Sequence, residues 1–167
     1  MEFFSSFWQS IGRHLILLAI ANGAPVFFRN VFGPRFAWPI DLGHSFIDKR
    51  PLLGHSKTWR GLFSSILLTS LLAPSLGLPI SLGALFGILA MSGDLLSSFI
   101  KRRLGYEASS RFRLLDTIPE SLFPMFFLRE QLGVTITEII LIVILFFTLE
   151  VILSPLLYRL HIRNRPY

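Results

Sequence analysis

The residues best suited to chemistry lie between Gly93 and Glu120, in the stretch GDLLSSFIKRRLGYEASSRFRLLDTIPE. Asp94 closes a long apolar run. On a helix, Asp94, Ser98 and Lys101 fall at i, i+4 and i+7, so one face carries an acid, a hydroxyl and a base. Lys101, Arg102, Arg103, Arg111 and Arg113 make this stretch basic, and two carboxylates, Asp116 and Glu120, follow at a spacing of four. An acid kept in an apolar segment is costly and is by default a functional hypothesis. Acids facing clustered cations are what a magnesium–polyphosphate site requires.

A second group spans Asp41 to Gly61, DLGHSFIDKRPLLGHSKTWRG. It holds Asp41, Asp48, Lys49, Arg50, Lys57 and Arg60, with glycines at 43, 54 and 61. Lysine and arginine supply charge and donors to phosphate oxygens, and glycines let the backbone approach closely. A solvated basic loop beside a membrane explains the same charges. The spacing is not a Walker A loop, since GxxxxGK[ST] is absent. Asn22 beside Pro25 can bond a base or sugar, or satisfy backbone groups freed at a proline kink.

Other residues carry competing structural roles. Asp94 could be an acid paired to Lys101 or another inner base. Thr117-Ile118-Pro119-Glu120 fits a capping box opening a helix, which would make Glu120 a cap partner. Asp116 lies outside that box and is the stronger candidate ligand. Glu150, inside the last apolar segment, fits pairing within the bundle better than catalysis. The four histidines show no zinc spacing, and with no cysteine there is neither a thiolate site nor a disulfide.

Elements must bring these groups together. Of 167 residues, 52% are hydrophobic and the mean hydropathy is +0.61, which places the chain among integral membrane proteins. In such a chain the net charge of +6 points to cytoplasmic loops and anionic ligands rather than nucleic acid. The N-terminus does not read as a cleaved signal, so the first apolar stretch is expected to stay as a membrane helix.

The pattern predicts an all-α bundle of about five transmembrane helices in a single catalytic domain, residues 1–167. The helices are expected near 3–28, 58–72, 79–101, 118–128 and 136–157, with polar loops at 29–60 and 101–116. No ionisable side chain occurs from Gly61 to Gly93, and Pro74, Gly77 and Pro79 mark a hairpin in its middle. Gly83 and Gly87 form a GxxxG, which admits close helix packing and, on weak grounds, a homodimer. Of the 16 lysines and arginines, six lie in 29–60, five in 101–113 and three in the tail Arg159–Arg165. The positive-inside rule then puts both loops and the C-terminus in the cytoplasm and the N-terminus outside.

Taken together these motifs resemble the CDP-archaeol synthase family, membrane cytidylyltransferases related to the CDP-diacylglycerol synthases. The resemblance covers nearly the whole chain. It runs through Asn22 and Pro25, then Asp41, Asp48, Arg50, Pro51 and Gly54, then Lys57-Thr58-Trp59-Arg60-Gly61. It continues in Gly93-Asp94-Leu95, Ser98 to Gly105, and Leu115-Asp116 with Pro119-Glu120-Ser121. It implies five transmembrane helices, magnesium, CTP and a phosphatidic-acid-like lipid phosphate in the cytoplasmic membrane. Acids like Asp94 and Asp116 would hold the metal, with Glu120 as a third ligand. The resemblance carries over Asp94 and Asp116; on the chemistry of the residues themselves, Lys101 would act with them by stabilising the transferring and leaving phosphates. Asn22, Asp41, Asp48, Arg50, Lys57, Arg60, Ser98, Arg102 and Arg103 would bind substrate. The histidine–glycine–glycine run of the diacylglycerol branch is absent.

Two other classes remain open on sequence alone. A CDP-alcohol phosphotransferase would need its spaced aspartates after a DG pair, which are missing. A small transporter or lipid-binding bundle would favour an internal repeat and polar groups at the midplane; here the polar groups cluster toward one face.

Overall fold

The computed structural model describes residues 2–107, 110 and 112–159. Arg111 and the basic tail Arg163–Asn164–Arg165, used above for orientation, lie outside the described residues. The elements are α1 (Glu2–Phe32), α2 (Trp59–Leu72), a 3-10 turn (Ala73–Leu76), α3 (Ile80–Arg103), α4 (Arg113–Phe127), the short α5 (Arg129–Leu132) and α6 (Ile136–Arg159). Among the described residues there is no named strand, only isolated bridges between Pro39 and Thr58 and between Ser45 and Pro51.

Local chemistry sets the boundaries. Thr58 is extended, and its hydroxyl oxygen accepts from the Gly61 N–H, capping α2. Pro74 and Gly77, the latter at φ 72°, turn the chain between α2 and α3 as the sequence predicts. Thr135 and Glu138 exchange bonds, Thr135 N–H to Glu138 Oε2 at 2.7 Å and Glu138 N–H to Thr135 Oγ1 at 3.3 Å, so a true capping box opens α6. The box expected at Thr117 does not form. Helix α4 starts at Arg113, four residues earlier. Thr117 instead donates its hydroxyl to Glu150 Oε2 on α6 at 3.0 Å.

Helix α3 is the axis. It packs most extensively on α4 and α2, while α1 packs against α2, α3 and α6, and α6 also meets α4. Leu17, Leu18 and Ala21 of α1, Phe86 and Ala90 of α3, Met125 of α4 and Ile142 of α6 share one buried cluster. The GxxxG motif serves this packing. A Cβ on Gly83 would lie 2.4 Å from Thr69 O, and one on Gly87 would lie 2.5 Å from Thr69 Oγ1. That face is therefore occupied by α2 of the same chain, and the motif gives no support to a homodimer.

Three helices are long and apolar enough to cross a membrane, over Ser6–Phe32, Ile80–Arg103 and Ile136–Leu156. The five expected segments are all helical. However, α2 has 14 residues and α4 has 15. At 1.5 Å per residue each reaches only about 22 Å, short of a hydrocarbon core of about 30 Å. Helix α4 also carries Pro119 and Pro124 and buries Thr117, Glu120 and Ser121.

The loop between α1 and α2 is organised by Asp41. Its carboxylate accepts from the N–H groups of Gly43 (3.1 Å), Leu53 (2.9 Å) and Gly54 (2.8 Å). Burial would raise this carboxyl's pKa, but the three donors hold it below the ordinary 3.8. Asp41→Ala is expected to destabilise the protein by about 1–3 kcal/mol, the cost of leaving buried donors unmatched. Because the folded pKa is depressed, wild type keeps this contribution above pH 3.8 and loses it as pH falls through the lower folded value. Thermal melts of both proteins across that range check the sign.

Candidate functional site

One cavity of about 690 Å³ opens where the C-terminal ends of α1, α3 and α6 meet the N-terminal ends of α2 and α4. The alternation of helix directions brings these ends together. Six cations line it (Arg29, Lys57, Arg60, Lys101, Arg102 and Arg113), with four carboxylates (Asp94, Asp116, Glu120 and Glu150). The excess of cations favours an anionic occupant.

Among the described residues that line the cavity, two ion pairs cross between segments. Lys57, just ahead of α2, donates to both Asp94 oxygens on α3 at 2.6 Å. Lys101 on α3 pairs with Asp116 on α4. Asp116 also accepts from the Phe112 N–H at 3.2 Å, which fixes it against the start of its own helix. The partner of Asp94 is thus Lys57 from the distant loop and not Lys101, one of the pairings weighed from sequence. Burial alone would lower the Lys57 pKa; the Asp94 carboxylate more than offsets this and raises it above the ordinary 10.5.

Backbone contact brings α4 to this point. A Cβ on Gly93 would sit 2.2 Å from Pro119 O and 2.7 Å from Glu120 N. Only a glycine before Asp94 lets α4 approach so closely, and the approach puts Glu120 in the wall beside Asp94.

Of the expected site residues, Asn22, Lys57, Arg60, Asp94, Ser98, Lys101, Arg102, Asp116 and Glu120 line the cavity. Asn22 donates its amide to Leu18 O at 3.1 Å. Proline 25 leaves the carbonyl of Ala21 without its helical donor, and the Asn22 bond goes to a different carbonyl. Arg60 donates to Gly33 O and Arg35 O, which ties the loop to α2. Arg102 is 3% exposed, and its Nε has no acceptor among the described residues.

Asp41, Asp48, Arg50 and Arg103 lie outside the lining. Arg103 pairs with Asp48 at 2.6 Å and stands over the Phe46 and Phe99 rings. Arg50 donates to Arg103 O at 2.6 Å. These groups fasten the loop to the end of α3. Their charge and neighbouring glycines gave the same signal as phosphate binding.

The cavity adds residues that the sequence did not offer as site residues, among them Arg29, His55, Ser154 and Thr117. Thr117 carried a signal, but its polar spacing had been assigned to a cap. Arg29 lay in a loop-edge position by sequence and is on α1.

The donor set bears on a metal. Among the described residues no three histidine or carboxylate side chains stand close enough to hold an ion unaided. The expected trio of Asp94, Asp116 and Glu120 shares the cavity without forming such a cluster. Magnesium ordinarily takes one or two carboxylates, water and substrate phosphates. The residues present fit that arrangement and not a wholly protein-held ion.

A family model for CarS-like CDP-archaeol synthase matches residues 13–81 and 72–167. The CDP-archaeol synthase of Sulfurisphaera tokodaii is 32% identical over 89% of each chain. That of Archaeoglobus fulgidus is 34% identical over 77% of this chain and 84% of its own. A solved intramembrane enzyme for archaeal membrane lipid biosynthesis superposes with a TM-score of 0.68 at 26% identity, over 82% of this chain and 90% of that one.

Gly93→Ala tests the close approach. Alanine is the better helix former by up to about 1 kcal/mol, yet its Cβ would strike Pro119 and Glu120 backbone. Overpacking of about 1–3 kcal/mol should win, so the variant is expected to melt below wild type in detergent. A gain in stability would mean that α3 and α4 are not in backbone contact there.

Proposed function

The chain belongs to the CDP-archaeol synthase family, CTP-dependent nucleotidyltransferases, and from that premise we propose what its own residues do. It transfers the cytidylyl group of CTP to a membrane lipid phosphate, giving CDP-lipid and pyrophosphate. The observation that carries this is the cavity in which six cations and four carboxylates converge from five helices and a loop. Carriers and phosphotransferases of CDP-lipids need not be invoked, since the relatives are synthases.

A lipid phosphate monoester is already an anionic nucleophile. One of its oxygens attacks the α-phosphorus of CTP; that O–P bond forms as the bridging bond to the β-phosphate breaks. The electron pair leaves on pyrophosphate, and no covalent protein intermediate is needed. The protein's task is then alignment and charge neutralisation.

Lys57 and Lys101 supply ammonium donors about two turns apart along one face of α3, with Asp94 and Asp116 holding them in place. Arg102 brings a buried guanidinium with an unmatched N–H, suited to a phosphate oxygen. Ser98, buried on the same helix face, adds a hydroxyl. With its nitrogen committed to Leu18, Asn22 has its amide oxygen left to accept from a base or sugar. Magnesium, held through Asp94 and Asp116 with Glu120 alongside, would neutralise and orient the phosphates. Asp41, Asp48, Arg50 and Arg103 act on substrate only by holding the loop that carries Lys57.

Residues 1–167 work as one catalytic domain with five bundle helices, of which α2 and α4 complete the site end. The distribution of basic residues supports a cytoplasmic site with the N-terminus outside. Soluble CTP then reaches the cavity from water while the lipid remains in its leaflet.

Asp94→Asn keeps the side chain's shape and removes the charge that holds Lys57. Magnesium-dependent release of pyrophosphate from CTP is expected to fall by on the order of 10²–10³-fold, the usual loss when one preorganised electrostatic partner is removed. Helix content and elution should stay as in wild type. Undiminished turnover in a well-folded variant would reject the assignment.

A further inference from the structure

The cavity wall built from α1, the following loop and the start of α2 has an outer face covered with rings. They step along the chain, Phe27 to Phe28 at 5.8 Å, Phe28 to Phe32 at 5.7 Å, Phe32 to Phe36 at 6.1 Å and Phe36 to Trp38 at 6.1 Å. Trp59 stacks on Phe63 at 5.8 Å on α2. The two runs are stitched together, since the Trp59 N–H donates to Trp38 O at 3.0 Å. These rings are open to the surroundings: Phe27 58%, Phe36 57%, Trp38 65% and Phe63 61% exposed.

So much aromatic surface on a water-facing loop would be costly. Its neighbours are telling. The ladder continues the exposed apolar side of α1, one of the three helices fit to cross a membrane. No acidic residue occurs from Phe3 to Ile40, whereas Arg29 and Arg35 fall within the ladder and Arg60 is bonded across it to Gly33 and Arg35. Aromatic rings with arginines at the end of a spanning helix are the composition of a membrane–water interface, and arginines there meet anionic headgroups.

We infer that the Phe27–Trp38 ladder, with Trp59 and Phe63, is seated in the headgroup–acyl boundary of the bilayer. The segment is an interfacial belt. Its inner face, through Val26, Ala37 and Ile40, is the cavity wall. The belt therefore fixes the depth of Lys57 and Asp94 at the plane of lipid phosphates. This last step rests on the function proposed above and names its consequence: the lipid substrate reaches the site without leaving its leaflet. The seating of the ladder stands independently of it.

The chain has three tryptophans, Trp8, Trp38 and Trp59, and no cysteine. The Trp8→Phe/Trp59→Phe variant, reconstituted in vesicles containing anionic lipid, leaves Trp38 as the only indole. Lipids brominated near the headgroup end of the chain are expected to remove most of its emission. Acrylamide in the aqueous phase should remove little. The reverse order, with acrylamide quenching and bromolipid ineffective, overturns the inference and returns the segment to water. Protection from both quenchers also overturns it, because a protein surface, a second copy included, would then cover the ladder.

Should the double variant fail to fold, Trp38→Cys carrying a spin label replaces it. Collision with oxygen in excess of collision with a water-soluble nickel complex supports the seating; the opposite excess refutes it. Quenching by bromolipid in a protein that releases no pyrophosphate from CTP would sink the proposed reaction and leave the belt intact. Turnover with Trp38 in water would do the reverse.

Discussion

Charge inside an apolar bundle has to be matched, and the Lys57–Asp94 pair shows how this chain meets that constraint. Each partner is about one-fifth exposed, toward the cavity. Removing one partner of a fully buried pair costs about 3–5 kcal/mol; here cavity water reduces the figure. The pair still binds two segments that are far apart in sequence. Lys101 and Asp116 repeat the device between α3 and α4. Together they pin a loop and a short helix to the central helix, with all four paired side chains lining the cavity.

The pairs can form only because the backbone comes close enough. Glycine 83 and Gly87 let α2 lie against α3, and Gly93 does the same for α4 one position before Asp94. In a membrane, close packing by small residues replaces the hydrophobic drive that works between helices in water. The loop is locked by another set of bonds. Asp41 gathers three N–H groups, and Arg50 and Arg103 reach the carbonyls and carboxylate across the α3 terminus. Lysine 57 is thus presented by a loop that is bonded to itself and to the end of α3.

Much of this was legible in the sequence. An acid after 33 residues without a charge, at Asp94, announced itself, and so did Asp116 after a run of bases. Proline and glycine marked the α2–α3 hairpin. What could not be read was who pairs with whom. Asp94 had a neighbour of opposite charge seven residues away and took one 37 residues away, because tertiary packing and not helix spacing decided it. Thr117 had a good local use as a cap and was drawn instead to Glu150, 33 residues on. Asp48, Arg50 and Arg103 look the same in sequence whether they bind phosphate or each other. Length was harder to read: α2 ends just before Pro74, and α4 runs on through Pro119 and Pro124 with a polar inner face, so both helices are shorter than the three long ones.

The resting ion pairs also bear on how the cavity can accept so charged a ligand. An open array of unmatched lysines and carboxylates in low dielectric would be expensive to maintain. Pairing Lys57 with Asp94 and Lys101 with Asp116 removes most of that expense before substrate arrives. The two further carboxylates, Glu120 and Glu150, lie close to the same wall, with Thr117 bonded to one of them. The remaining cations are arginines, whose guanidinium groups are weakly hydrated and tolerate such a position better than an ammonium does. Arg102 is the one whose Nε is both buried and without an acceptor among the described residues. On the reaction proposed above, a phosphate at Arg102 would meet a donor that no carboxylate has to surrender. On the same reaction, Lys57 and Lys101 would exchange Asp94 and Asp116 for phosphate oxygens, and the carboxylates so released would be free to hold the magnesium.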